Sequence, residues 1–169
     1  MRSPFLTVIV MSILLVQALG SRGANRGIPD EAECKKAIEL TRLLESEPLS
    51  KEAARARKQM ARWLVLYPDI EVRQCSVLLG SIADERKKEF EFISMQLLYS
   101  GAAYIIEHPE EGDDRLAVYA AGLEGALRAY EAILRDKPRL RRPYLDRLIR
   151  LRDDGTLIEY VTEVMERCP

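Results

Sequence analysis

Apolar positions in the body of this chain recur at intervals of three and four, and one stretch departs from that rhythm by having almost no polar side. Phe92 to Ile106, FISMQLLYSGAAYII, carries no charge and is bounded by Glu91 and Glu107. On a helical wheel Phe92, Tyr99 and Ile106 fall on one side and Ile93, Leu97 and Tyr104 on another. A helix apolar nearly all round has to be surrounded by other helices. At about 1.5 Å per residue it reaches roughly 22 Å, short of the ~30 Å hydrocarbon slab, and it contains Ser94, Gln96 and Ser100. It is expected to be a central core helix, not a membrane span.

The flanking segments are amphipathic. Asp30 is placed to cap a helix running to about Ser46, with Cys34, Ala37, Ile38, Thr41 and Leu44 inward. Pro48 breaks it, and Ser50 caps a second helix with an inner stripe of Ala53, Ala56, Met60, Trp63, Leu64 and Tyr67. Arg55, Arg57, Lys58 and Arg62 of that helix are mostly solvent-facing. After Pro68, Asp69 is expected to start a short third helix with Val72, Cys75, Ser76 and Leu79 on one face and Gly80 as its stop. The charged run ADERKKEFE then leads into the central helix, whose small residues Ser100 to Ala103 invite close approach of a neighbour, with Gly101 the natural contact point.

A polar turn, His108 to Asp114, precedes the cleanest amphipathic pattern in the chain. Leu116, Tyr119, Leu123, Ala126, Leu127, Tyr130 and Ile133 recur at three and four, while Glu124 with Arg128 and Glu131 with Arg135 are spaced as outer-face pairs. This segment and the central helix are expected to form an antiparallel hairpin. Pro138 ends it, a short helix starts near Pro143, and Thr156 with Glu159 has capping-box spacing for a last helix. No segment alternates with period two long enough to predict a strand. The pattern as a whole predicts an all-α, single domain of about seven helices stacked as antiparallel hairpins around a buried central helix, over residues 29–169.

One part of that pattern carries a likeness. Gly125 to Leu140, GALRAYEAILRDKPRL, resembles the second helix of a tetratricopeptide repeat, with Ala126, Tyr130 and Pro138 at the spacing of its small residue, aromatic and terminating proline. Ile133 stands where the repeat has a second small residue, and the likeness covers about half of one repeat. It implies stacking of helical hairpins and a protein-binding role, and it transfers no binding residue.

The N-terminus changes the picture of where the protein works. A short basic start at Arg2, the apolar run PFLTVIVMSILLV from Pro4 to Val16 and the small residues Ala18 and Gly20 have the form of a secretory signal peptide over residues 1–20. Residues 21–28, SRGANRGI, read as a flexible leader. The mature chain is therefore expected to be exported, periplasmic or extracellular, and not membrane-spanning. With 26 basic and 27 acidic side chains there is no global field to draw in nucleic acid, and export argues further against it.

Three cysteines in an exported chain permit one disulfide. If the first and third helices run parallel, Cys34 and Cys75 come together on buried faces and leave Cys168 free or joining two chains; three unpaired thiols and a bond to Cys168 are the other arrangements. The only histidine, His108, sits among Glu107, Glu110, Glu111, Asp113 and Asp114. Their spacing fits no calcium loop, and the expected roles are helix capping and dipole pairing, with no cofactor or metal. Ser94 and Ser100 are expected to bond backbone.

A basic concentration from Arg135 to Arg152 contains Arg139, Arg141, Arg142 and Arg147, the candidate binding residues, since clustered arginines grip carboxylate or phosphate in pairs of hydrogen bonds. The expectation for function is a secreted or periplasmic, non-enzymatic interaction or scaffold protein. Its partner is expected to be a protein or peptide, with an anionic envelope component as a further possibility. Two other classes remain open at this point: a hydrolase of an envelope polymer using carboxylates among Glu107, Glu110, Asp113 and Asp114, and a small-ligand carrier with a pocket lined by Tyr99, Tyr104, Tyr119 and Tyr130.

Overall fold

The structure, a computed structural model, describes residues 28–168, so the expected signal peptide and nearly all of the leader lie outside the described residues. Six α-helices are found there: α1 Glu31–Ser46, α2 Lys51–Leu66, α3 Lys88–Glu107, α4 Arg115–Asp136, α5 Pro143–Asp153 and α6 Leu157–Met165. Short 3₁₀ turns fill three of the connections, and no strand occurs among the described residues.

The starts of these helices follow from their sequence. Asp30 and Glu33 form the reciprocal capping box of α1, the Asp30 carboxylate accepting from Glu33 N at 2.8 Å. Ser50 accepts from Ala53 N at 3.0 Å, Asp114 from Leu116 N and Ala117 N at 2.9 and 3.2 Å, and Pro143 opens α5, where a missing N–H costs nothing. Thr156 does not cap α6; its hydroxyl donates instead to Leu151 O at 3.3 Å, closing the turn at Gly155.

Helix α3 is central in a specific sense: it is the wall between two cores. Tyr99 and Ala102 pack with Ala37, Leu44, Ala56, Met60 and Trp63 of the α1–α2 hairpin, and Met95 and Ile106 border the same cluster. Phe90, Ile93 and Leu97 pack with Leu123, Leu127 and Tyr130 of α4, Leu145 of α5 and Val161 of α6. Of the two apolar sides legible on the wheel, Tyr99 and Ile106 face one core and Ile93 and Leu97 the other, while Phe92 and Tyr104 lie outside both, and no residue from Phe92 to Ile106 is fully exposed. Phe92, half-buried at the edge, is covered by the Arg57 guanidinium at 3.6 Å from the ring centre.

Helices α3 and α4 form the expected antiparallel hairpin, and small residues on both make it tight. A Cβ at Gly101 would meet Val72 and Val118 at 2.9 and 3.3 Å, as the small-residue row predicts. Gly122 lies against the Leu97 carbonyl and Gly125 against Ser100, with a Cβ reaching 2.7 and 1.9 Å respectively, so α4 contributes the closer contacts.

Two expectations are corrected. The third helix from Asp69 is absent: residues 71–75 have no regular structure, and residues 76–84 form two 3₁₀ turns joined at Gly80, whose φ is 56°. Ile70 and Val72 turn toward the first core while Glu71 and Arg73 face water. This two-residue alternation satisfies burial without the costly nucleus of a two-turn helix. The predicted Cys34–Cys75 bridge fails with it. Cys75 bonds to Cys168, Cα to Cα 5.2 Å, because α6 folds back over the 3₁₀ segment and delivers the C-terminus to the second core. Cys34 stays free at the start of α1, half-buried, its Sγ 4.0 Å from Pro29 O.

Candidate functional site

Four polar residues are buried among the described residues, Thr41, Glu45, Gln96 and Ser100, and all belong to one network across the α1–α3–α4 junction. Gln96 Nε2 donates to Ser100 Oγ at 3.0 Å and to Thr41 O at 3.5 Å; Ser100 Oγ donates to Glu45 Oε1 at 2.7 Å. Ser100 therefore serves a carboxylate and not backbone, contrary to expectation. Arg128 of α4 reaches the same carboxylate with two donors at 2.9 and 3.0 Å, and Arg42 Nη1 spans both oxygens at 3.0 and 3.2 Å.

Burial by itself would raise the Glu45 pKa. The hydrogen bonds from Arg128 and Ser100, with the charges of Arg128 and Arg42, outweigh it and hold the carboxyl below its ordinary value. A carboxylate with five hydrogen bonds on it and a depressed pKa is arranged to stay ionised, which suits anchoring and not proton abstraction.

The network forms one flank of an open cleft of about 660 Å³. Ala117, Ala120 and Ala121 of α4 give it a shallow floor; Tyr104, Glu107 and His108 from the end of α3 stand on one side, and Ile158 of α6 reaches in from another. Each arginine of the network is held at both ends, Arg42 Nη2 by Glu107 at 2.7 Å and Arg128 Nη1 by Glu124 at 3.5 Å. The Tyr104 ring lies 4.6 Å from His108, and its hydroxyl donates to Glu111. That bond, with the nearby charges of the acidic turn, pushes the Tyr104 pKa up to about 12.

The acidic turn itself is dispersed among separate tasks. Glu107 pairs with Arg42, Glu111 accepts from Tyr104, Asp114 caps α4, and Glu110 lies 4.0 Å from His108. Among the described residues no three His, Cys, Asp or Glu side chains gather as a metal site would require. The four tyrosines proposed for a carrier pocket do not converge either: Tyr99, Tyr119 and Tyr130 are buried in the cores and Tyr104 alone lines the cleft.

The candidate arginines from the basic concentration are largely committed to internal partners. Arg142 holds Glu85 with two bonds at 2.6 and 2.7 Å and covers the Phe90 ring, and Arg141 pairs with Asp146 at 3.2 Å. Nearby, Arg152 binds Glu131 and Asp153, Lys137 binds Glu89, and Arg135 donates to Ser46 O at 2.9 Å. Glu131 thus serves Arg152 and not Arg135. Arg139 and Arg147 remain exposed, without a carboxylate partner among the described residues.

The sequence reading missed Glu45 altogether. Its signal was there: Glu45 follows Thr41 by four positions, on the inward face of α1. No protein-family model, curated protein or solved structure matches this chain.

Proposed function

We propose that this is an exported, non-enzymatic helical interaction protein that holds an extended segment of a partner polypeptide in the cleft between α1, the ends of α3 and α4, and α6. The observation that carries the reading is the cleft's construction. Its alanine floor lets a backbone approach closely, and its volume falls in the range of ligand sites. Its rim offers Arg42, Arg128, Tyr104 and His108 for hydrogen bonding. Because both arginines are pinned to a buried Glu45, little side-chain freedom is left to lose on binding. An open trough suits a chain better than it suits a small enclosed ligand.

Export is supported by the Met1–Gly20 pattern and by the Cys75–Cys168 bridge, since disulfides persist in oxidising compartments. The tetratricopeptide-like Gly125–Leu140 segment supports a binding role by analogy, and it lies on the helix that supplies the cleft floor. The test is to pan a displayed library of unstructured peptides against the immobilised protein and then against Ala121→Trp, which fills the trough. Enriched peptides should lose binding to the filled variant at least tenfold. No enrichment, or enrichment indifferent to Ala121→Trp, would overturn the reading.

A further inference from the structure

Among the described residues, a row of unpaired positive charge lies outside the basic concentration that the sequence singles out. Lys51, Arg55, Lys58 and Arg62 are all exposed on α2. At 100° per residue they fall within about 60° of one another, a straight stripe about 16 Å long. None of the four makes an ion pair or a hydrogen bond among the described residues, whereas Arg141, Arg142 and Arg152 each hold a carboxylate. Arg57, beside the stripe, spends its hydrogen bond on Pro48 O at 2.7 Å and its face on Phe92, so no carboxylate neutralises it.

Glu52 is the only acid on α2; it stands three residues before Arg55, about 60° from it on the wheel, and makes no ion pair with it among the described residues. Lys51 with Arg55, Arg55 with Lys58 and Lys58 with Arg62 stand one helical turn apart as like charges, an arrangement that weakens a helix. In a chain of net charge −1 these like charges are segregated on one exposed helix face.

Apolar side chains accompany the stripe. Val65 is 78% exposed at its C-terminal end, and Ala54 and Ala61 are exposed along its edge. We propose that this outer face of α2 is a docking surface for an anionic lipid bilayer, with the four cations at the headgroups and Val65 entering the interface. The convex, straight face favours a broad planar partner over a soluble acidic polymer, which a groove would hold better. An exposed valine gains nothing from a polymer and does gain from an interface.

The experiment is co-sedimentation of the full chain with vesicles of phosphatidylglycerol diluted roughly one to three in phosphatidylcholine, against phosphatidylcholine alone. The apolar run Pro4–Val16 with Arg2, Arg22 and Arg26, where retained, also favours anionic vesicles, so the loss on substituting the α2 stripe, measured on the same length of chain, is the readout. Arg55→Gln with Lys58→Gln and Arg62→Gln should weaken binding to the anionic vesicles on the order of a hundredfold, about fivefold per cation. The matched variant Arg139→Gln, Arg147→Gln, Arg150→Gln should keep most of it, and added salt should mimic the α2 variant.

The α2 variant should melt no lower than wild type, because it removes repulsion from an exposed face, and this separates lost docking from lost fold. Equal losses in the two variants, no preference for anionic vesicles, or binding to a soluble polyanion such as heparin without vesicle binding would each overturn the proposal. None of these outcomes bears on peptide binding in the cleft, which α2 does not line.

Discussion

Glu45→Gln tests whether the buried carboxylate joins the three helices that build the cleft. The substitution keeps shape and one acceptor oxygen while removing the charge that Arg42 and Arg128 share. Breaking a fully buried ion pair costs about 3 to 5 kcal/mol. Here the Glu45 side chain is 6% exposed but the arginines are 44% and 40% exposed and can turn toward water, so the loss is smaller. Two weakened charge-assisted contacts, with the Ser100 bond retained, give about 2 to 3 kcal/mol, or roughly 5 to 10 °C in the melting midpoint.

The pH dependence of that difference identifies its origin. The folded pKa of Glu45 is lowered, so the unfolded chain takes up its proton first as pH falls. The stabilisation is complete above the unfolded value of about 4.3 and is lost as pH drops through the folded one. Protonated Glu is close to isosteric with Gln, so wild type and variant should converge in acid. Urea denaturation followed by circular dichroism, with the disulfide intact, measures the gap at neutral pH and at about pH 3. A gap of equal size at both would show a steric cost and refute the electrostatic account. A gap under about 0.5 kcal/mol at neutral pH would refute the welding role itself.

Two further substitutions probe the packing around that junction. Gly125→Ala gains about 1 kcal/mol of helix propensity, but its Cβ would lie 1.9 Å from Ser100 Oγ and 2.6 Å from Glu45 Oε1. A net loss of about 2 kcal/mol is expected in thermal melts, and a midpoint at or above wild type would refute the close approach. Cys75→Ser opens a bridge between residues 93 positions apart and should cost about 3 to 4 kcal/mol, with faster amide exchange in α6 and residues 76–84. Cys34→Ser should change stability by less than about 0.5 kcal/mol, and thiol titration of the denatured, unreduced chain should find Cys34 alone.

The architecture was legible because burial imposes a period on each helix separately. The two sides of α3, the caps at Asp30 and Ser50, and the α3–α4 hairpin each follow from residues close in sequence. The segment after Pro68 misled because its apolar residues satisfy both a helical and an alternating reading over so few positions. Tertiary contacts with two different cores decided between them. The disulfide assignment inherited that error, since it depended on a helix that does not form.

Charge was harder to read than burial, for a reason the arginines make plain. Arg142, Lys137 and Arg152 look like a free cluster in the sequence, yet Glu85, Glu89 and Glu131 reach them from elements 21 to 57 positions away. On α2 the reverse holds: the stripe lies on one helix, its register is visible in the sequence, and among the described residues no distant carboxylate arrives to cancel it. Local spacing can place cations on a face, but only the fold shows which of them are already spent. Mutually repelling charges left unspent beside exposed Val65 must be offset by packing elsewhere in the molecule or relieved by a partner. The register of four like charges on one exposed helix face, and not the number of arginines, separates α2 from the Arg135–Arg152 stretch, most of whose cations are bonded internally.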